Sequence, residues 1–175
     1  MNTRYVAILG GLILIVLVIV GFKFKSKFGS GEVYTGTTTA ATVNDVKFAT
    51  PDGVSEGIKL FGEPVMGDLN GDSTDDAAVL FTYDGGGSGT FFYAAFAIKN
   101  DTGYTPTNSV LLGDRIAPQT IELHSGRAVY NYAVRKDTEP FTTQPSVGKS
   151  TWLELNKTTG NVVEWVGATS TATST

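Results

Sequence analysis

The segment Tyr5–Phe22 constrains this chain more than any other. It reads Tyr-Val-Ala-Ile-Leu-Gly-Gly-Leu-Ile-Leu-Ile-Val-Leu-Val-Ile-Val-Gly-Phe and holds no charged side chain. As a helix, about 18 residues at about 1.5 Å each span roughly 27 Å, close to the hydrocarbon core of a bilayer. A helix buried inside a globular core would show some polar positions. The stretch also exceeds the apolar core of a cleavable signal peptide, about 7–15 residues long. Bulky and basic residues follow it, Phe22-Lys23-Phe24-Lys25-Ser26-Lys27, with no small-residue cleavage pattern. The expectation is an uncleaved, single-pass membrane anchor over residues 1–25.

Orientation is contested within the sequence. Lys23, Lys25 and Lys27 follow the apolar run, whereas Arg4 and the α-amine precede it. The excess of positive charge places the C-terminal side in the cytoplasm by a small margin. A resemblance described below points the other way. Pilins also join an apolar helix to a β-rich head. This chain lacks their basic leader, processing site and internal Glu, and Gly29 and Gly31 would stop their long helix.

Beyond the run, Gly, Thr, Val, Tyr and Phe dominate, which favours strands and turns. Formal net charge is −4, and the basic residues do not cluster on the remainder, so no nucleic acid partner is expected. The chain has no cysteine. That excludes disulfides, thiolate metal sites, a Cys nucleophile and a lipid-modified Cys after the apolar run.

Composition divides the rest into three parts. Residues 26–41 are Gly/Ser/Thr-rich and read as a flexible linker. Residues 42–166 read as one β-rich globular domain. Residues 167–175 form a Thr/Ser-rich tail with no apolar side chain larger than alanine, so disorder is expected there. Within the domain, strands are expected at Val46–Ala49, Ile58–Phe61, Ala77–Tyr83, Thr90–Lys99, from Tyr104, at Val110–Leu112, Gln119–Leu123, Ala128–Arg135, Thr151–Leu155 and Asn161–Val166. No helix is expected. Gly, Asn and Asp punctuate the connections, notably Gly85–Gly89, Asn100–Gly103 and His124-Ser125-Gly126. Alternation places Ala128, Tyr130, Tyr132 and Val134 on one face, and sets Leu153 and Leu155 opposite Trp152 and Glu154. Strands in hairpin succession predict an antiparallel β-sandwich or open barrel. Trp152, Trp165, Phe91, Phe92, Phe96, Tyr130 and Tyr132, at strand spacing, read as core.

One stretch carries chemistry: Gly67-Asp68-Leu69-Asn70-Gly71-Asp72-Ser73-Thr74-Asp75-Asp76. Asp68, Asn70, Asp72 and Asp76 set side-chain oxygens at loop positions 1, 3, 5 and 9, and Thr74 can add its backbone carbonyl at position 7. Ca²⁺ takes six to eight hard oxygens, and alternate residues of a tight loop can wrap one. Three carboxylates without a cation would repel one another. A plain Asx-rich turn without metal is the alternative. Ser73 stands where such loops favour glycine, at a cost of about 1 kcal/mol if its φ is positive.

The loop is not an EF-hand, because Val79 stands where the bidentate Glu belongs and a strand follows. With Leu60–Gly67 before it and Ala77-Ala78-Val79 after it, the stretch resembles the FG-GAP type of calcium loop, present here as a single copy. That resemblance implies a strand–loop–strand hairpin rigidified by metal. Phe61–Val65, the loop, Gly86–Tyr93 and Val110–Ile121 together look like a domain of uncharacterised bacterial envelope lipoproteins. This second resemblance implies an extracytoplasmic location and no activity.

Other residues read as structural. Gly85–Gly89 lacks the Lys-Ser/Thr and following helix of a phosphate cradle. His124 is the single histidine and sits in a turn. Asp114-Arg115 reads as an ion pair or turn cap. Glu56, Glu63, Glu122 and Glu139 are the carboxylates from which a hydrolase would need a facing pair. The expectation is a non-enzymatic, membrane-anchored envelope domain with Ca²⁺ bound at Asp68, Asn70, Asp72, Thr74 and Asp76. Its partner would be the membrane and a protein or glycan of unknown identity. An envelope enzyme or enzyme inhibitor is the alternative.

Overall fold

The computed structural model describes residues 40–167. The run Tyr5–Phe22, the tether through residue 39 and the tail from residue 168 lie outside the described residues. Among those described, no helix is long and apolar enough to cross a membrane.

Nine strands are present among the described residues: β1 Ile58–Leu60, β2 Val65–Gly67, β3 Asp76–Tyr83, β4 Phe91–Asn100, β5 Gly103–Asp114, β6 Ala117–His124, β7 Arg127–Val134, β8 Val147–Leu155 and β9 Val162–Glu164. They form two antiparallel sheets. In the first, β3, β4 and β5 follow in order, and both β1 and β2 pair with the outer side of β3. The second runs β6-β7-β8-β9. The two sheets share one core and do not close into a barrel.

The core between the sheets joins Leu80, Phe92, Phe96 and Leu112 of the first to Tyr130, Tyr132, Leu153 and Val162 of the second. Tyr130 reaches across it. Its hydroxyl lies 3.1 Å from the Val79 carbonyl and 3.2 Å from the Ala95 carbonyl, a paired position of β3 and β4. Ala78 and Ala94 pack in this same core, and their small side chains leave room for the ring. Burial pushes the Tyr130 phenol far above its ordinary pKa, so it remains a donor.

The far face of the first sheet is also covered. Val43, Val46 and Phe48 pack on Ala77, Val79, Phe81, Tyr93, Ala95 and Ala97. The Phe48 and Phe81 rings stack at 5.6 Å. β3 is therefore buried on both faces, which explains its unbroken apolar run. The segment that provides this cover differs from expectation. Val46–Ala49 is not a strand, and it follows a 3-10 turn at Val43–Asp45 where no helix was expected. It packs by its side chains and by one hydrogen bond, from the Ser109 hydroxyl to the Ala49 carbonyl at 2.7 Å, and joins no ladder. Ala40 is buried and exchanges two backbone hydrogen bonds with Tyr104.

Tertiary pairing also lengthens strands. The separate expectations from Tyr104 and at Val110–Leu112 merge into one strand, β5, with register shifts at Leu112 and between Pro106 and Ser109. β8 begins at Val147 because it pairs with all of β7.

The sandwich has two seams. At one, β5 meets β9 through a side chain: the Asn108 carboxamide donates to the Val162 carbonyl at 2.9 Å and accepts from its N–H at 2.6 Å. This amide copies a backbone pair and closes the seam. At the other, β2 approaches β6 with no ladder between them. A Cβ on Gly67 would lie 2.6 Å from Leu123 Cδ1, so glycine permits the close approach there.

Candidate functional site

The acidic loop connects β2 to β3, and Gly67 and Asp76 are the last pair of that hairpin. Two anchors fix the loop. Leu69 is 2% exposed and plugs into the core between the sheets. Asp76 is fully buried. Its Oδ2 accepts from the N–H of Leu69 at 3.0 Å and of Asn70 at 3.1 Å, and its Oδ1 accepts from the Lys99 N–H at 2.8 Å. Asp76 thus ties both sides of the hairpin to β4. Burial pushes its carboxyl upward most; the Lys99 and Leu69 N–H groups oppose this, the charge of Asp72 adds to it, and the Asn70 N–H opposes it again.

The exposed part of the loop is wound by its own side chains. Asp68 accepts from the Gly71 N–H at 2.6 Å and the Ser73 N–H at 3.0 Å. Asn70 donates to Asp72 Oδ2 at 2.8 Å and accepts from the Asp72 N–H at 2.8 Å. Asp72 Oδ1 accepts from the Thr74 N–H at 2.7 Å and from its hydroxyl at 2.6 Å. The Thr74 hydroxyl, the Asn70 amide and the Thr74 N–H together hold the Asp72 carboxyl below the usual range. Ser73 has a φ of 69°, so the strain anticipated from its identity is present.

The five residues expected to hold a metal are therefore neighbours with unequal roles. Of the about four acceptor sites on an ionised carboxylate, Asp68 uses two and Asp72 three, so Asp68 keeps the most unused lone pairs. Asp76 has committed three of its sites to backbone N–H groups. No group of three or more Asp, Glu, His or Cys side chains among the described residues stands close enough to hold a metal ion. Lys157, from the β8–β9 turn, brings its ammonium over the loop, within 2.8 Å of where a Cβ on Gly71 would lie. Neither the structural role of Asp76 nor the approach of Lys157 follows from the loop's own spacing.

An apolar cleft of about 170 Å³ opens at the β2–β6 seam. Phe61 and Val65 form one lip and Pro118 and Ile121 the other, over Leu80 and Tyr130. Glu63 is the one charged residue in its lining. The other candidate carboxylates lie elsewhere: Glu122 contacts His124 at 3.4 Å, and Glu139 accepts from the Lys136 N–H.

Aromatic residues divide between two roles. Phe92, Phe96, Tyr130 and Tyr132 are core, as expected. Trp152 and Trp165 are not; they lie half-buried on the outer face of the second sheet, 5.7 Å apart, with His124 at 5.5 Å from Trp152 and the Arg127 guanidinium 4.7 Å from Trp165. They cover Val129, which pairs with Trp152. Asp114 and Arg115 form the expected ion pair, at 2.7 Å.

No protein-family model matches this chain, and no curated protein or solved structure matches it either.

Proposed function

We propose that this chain is a membrane-tethered binding module of the cell envelope whose β2–β3 hairpin is stiffened by Ca²⁺. The winding of the loop carries this reading. Asp68 draws in the N–H groups of Gly71 and Ser73 and holds Ser73 at a positive φ. That conformation costs a non-glycine residue about 1 kcal/mol. It keeps Asp68, Asn70, Asp72 and Thr74 linked in a row of oxygens. Asp72 also adds to the upward push on Asp76, a repulsion that a cation would relieve. The tether rests on the apolar run Tyr5–Phe22, and the extracytoplasmic placement on the likeness to envelope lipoprotein domains. A single carboxylate in the cleft supports binding over hydrolysis, which needs two facing acids.

A metal-free loop is the second reading. Its support is the complete backbone capping by Asp76 and the nearness of Lys157, which supplies a counter-charge from the protein itself.

Calcium titration of the purified full chain separates the two. If Ca²⁺ binds, the melting temperature rises with calcium by mass action, and Mg²⁺ raises it less. Asp68→Ala and Asp72→Ala then remove the rise. Asp76 is unsuitable for this test because it also holds the hairpin. An unchanged melting temperature in millimolar calcium would falsify the metal assignment. Protease added outside intact cells should remove the domain; protection would instead place it in the cytoplasm.

A further inference from the structure

We infer that the open seam beside β6 docks an extended segment of a partner protein, which pairs with the free edge of β6 and seats one large apolar side chain in the cleft. This deepens the reading of the domain as a binding module and does not depend on calcium.

The edge comes first. Ser125 and Gly126 have φ of 51° and 76°, the signature of a two-residue type I′ turn. His124 and Arg127 are then the hydrogen-bonded pair that closes the hairpin, as are Glu122 and Val129 two residues on. The N–H and C=O groups of Ile121 and Leu123 therefore face away from β7. Among the described residues, β6 has no other ladder partner.

The other edges are short or interrupted, and Val147–Thr151 of β8, also without a second ladder partner among the described residues, does not line the cleft. β1, β2 and β9 have three residues each. β5 is long, but Ala40 pairs with its start, Pro106 interrupts it and Asn108 spends its amide on Val162. Edges left unguarded invite another strand. β6 carries Pro118 and a register shift only at its start.

The floor sets what such a strand must bring. A void of about 170 Å³ accommodates about one aromatic ring. Phe61, at 45% exposure, extends the apolar surface around the mouth. Glu63 is the sole charge in the lining, so a basic residue flanking the apolar one is favoured. A row of backbone donors and acceptors beside a hole for one side chain matches an extended peptide. A sugar would leave the apolar floor unfilled, and a small apolar molecule would leave the edge unpaired.

The test uses the isotopically labelled full chain in phospholipid nanodiscs. The probe is a capped heptapeptide of alternating threonine and valine with a central phenylalanine and terminal lysines. The expected result is saturable chemical-shift change and slowed hydrogen exchange at the Ile121 and Leu123 amides. Replacing the probe's phenylalanine by alanine, or N-methylating the amides that face β6, should each weaken binding by about ten-fold or more. Val65→Trp, which fills the mouth, should abolish it, with the Asn108 and Val162 amides at the opposite seam unshifted to show that the fold is kept. Two outcomes would overturn the inference: Ile121 and Leu123 amides already protected without peptide, or binding indifferent to N-methylation. A glycan that binds while the peptide fails would also overturn it, yet leave the binding-module reading standing.

Discussion

The two seams of the sandwich meet the same problem in opposite ways. Where β5 meets β9, one carboxamide supplies both a donor and an acceptor, and the sheets are stitched through Asn108 and Val162. Where β2 meets β6, nothing bridges the backbones; the seam is pinned at Gly67 and Leu123 and opens toward Phe61 and Pro118. A sandwich core stays dry only if each seam is closed or plugged. The closed seam shows that one well-placed polar side chain can do this. The open seam leaves an apolar floor and a strand edge without partners, and both are properties of a docking surface.

Substitutions can break this contrast. The largest effect is expected from Asp76→Ala, at the pinned end of the open seam. It strands the N–H groups of Leu69, Asn70 and Lys99, at about 1–3 kcal/mol for each buried group. Denaturant unfolding of the purified chain should show a loss of about 3 kcal/mol or more, and full retention of stability would mean that the hairpin is held by something else. Asn108→Ala comes next. It turns the closed seam into a second open one, with an expected loss of about 2 kcal/mol and faster exchange of the Val162 amide. If exchange is unchanged, the amide does not act as the stitch.

Two further changes sharpen the comparison. Tyr130→Phe removes the hydroxyl that ties the sheets together midway between the seams, and about 1 kcal/mol should be lost with both seams equally affected. Ser73→Gly relieves the positive φ beside the open seam and should raise stability by up to about 1 kcal/mol. A loss there would mean that the serine side chain contributes more than its strain costs. The smallest effect concerns pH. Hydrogen bonding from Arg115 holds the Asp114 carboxyl below its ordinary value. Its contribution is present above the unfolded-state pKa and is lost as pH falls through the folded-state value. Asp114→Asn should flatten the acid limb of the stability curve slightly and leave neutral pH almost unaffected in comparison.

Much of the fold was readable because its signals are local. Alternation in β7 and β8 identifies the inward residues Ala128, Tyr130, Tyr132, Leu153 and Leu155, and the structure buries them on that face. Turn residues located Asn100–Gly103 and the turn at Ser125-Gly126, although His124, expected in that turn, is the last residue of β6. Other elements carried no such signal. β2 has three residues, too few for a period to show. Val46–Ala49 has strand composition but covers a sheet face without joining a ladder. Trp152 and Trp165 have core composition, yet alternation against Leu153 turns Trp152 outward.

The loop divides in the same way. Its spacing of oxygens, and the strain at Ser73, follow from the sequence of the hairpin itself, as do the Asx-type hydrogen bonds among near neighbours. The commitment of Asp76 to Lys99, 23 residues away, does not, nor does the approach of Lys157. The same holds for the cleft, whose lips come from segments more than 50 residues apart. Local pattern selects strands and turns because propensity and alternation act over a few residues. Which edges stay free, which carboxylate is buried and where a hole remains depend on how two sheets meet, and only the packed chain decides that.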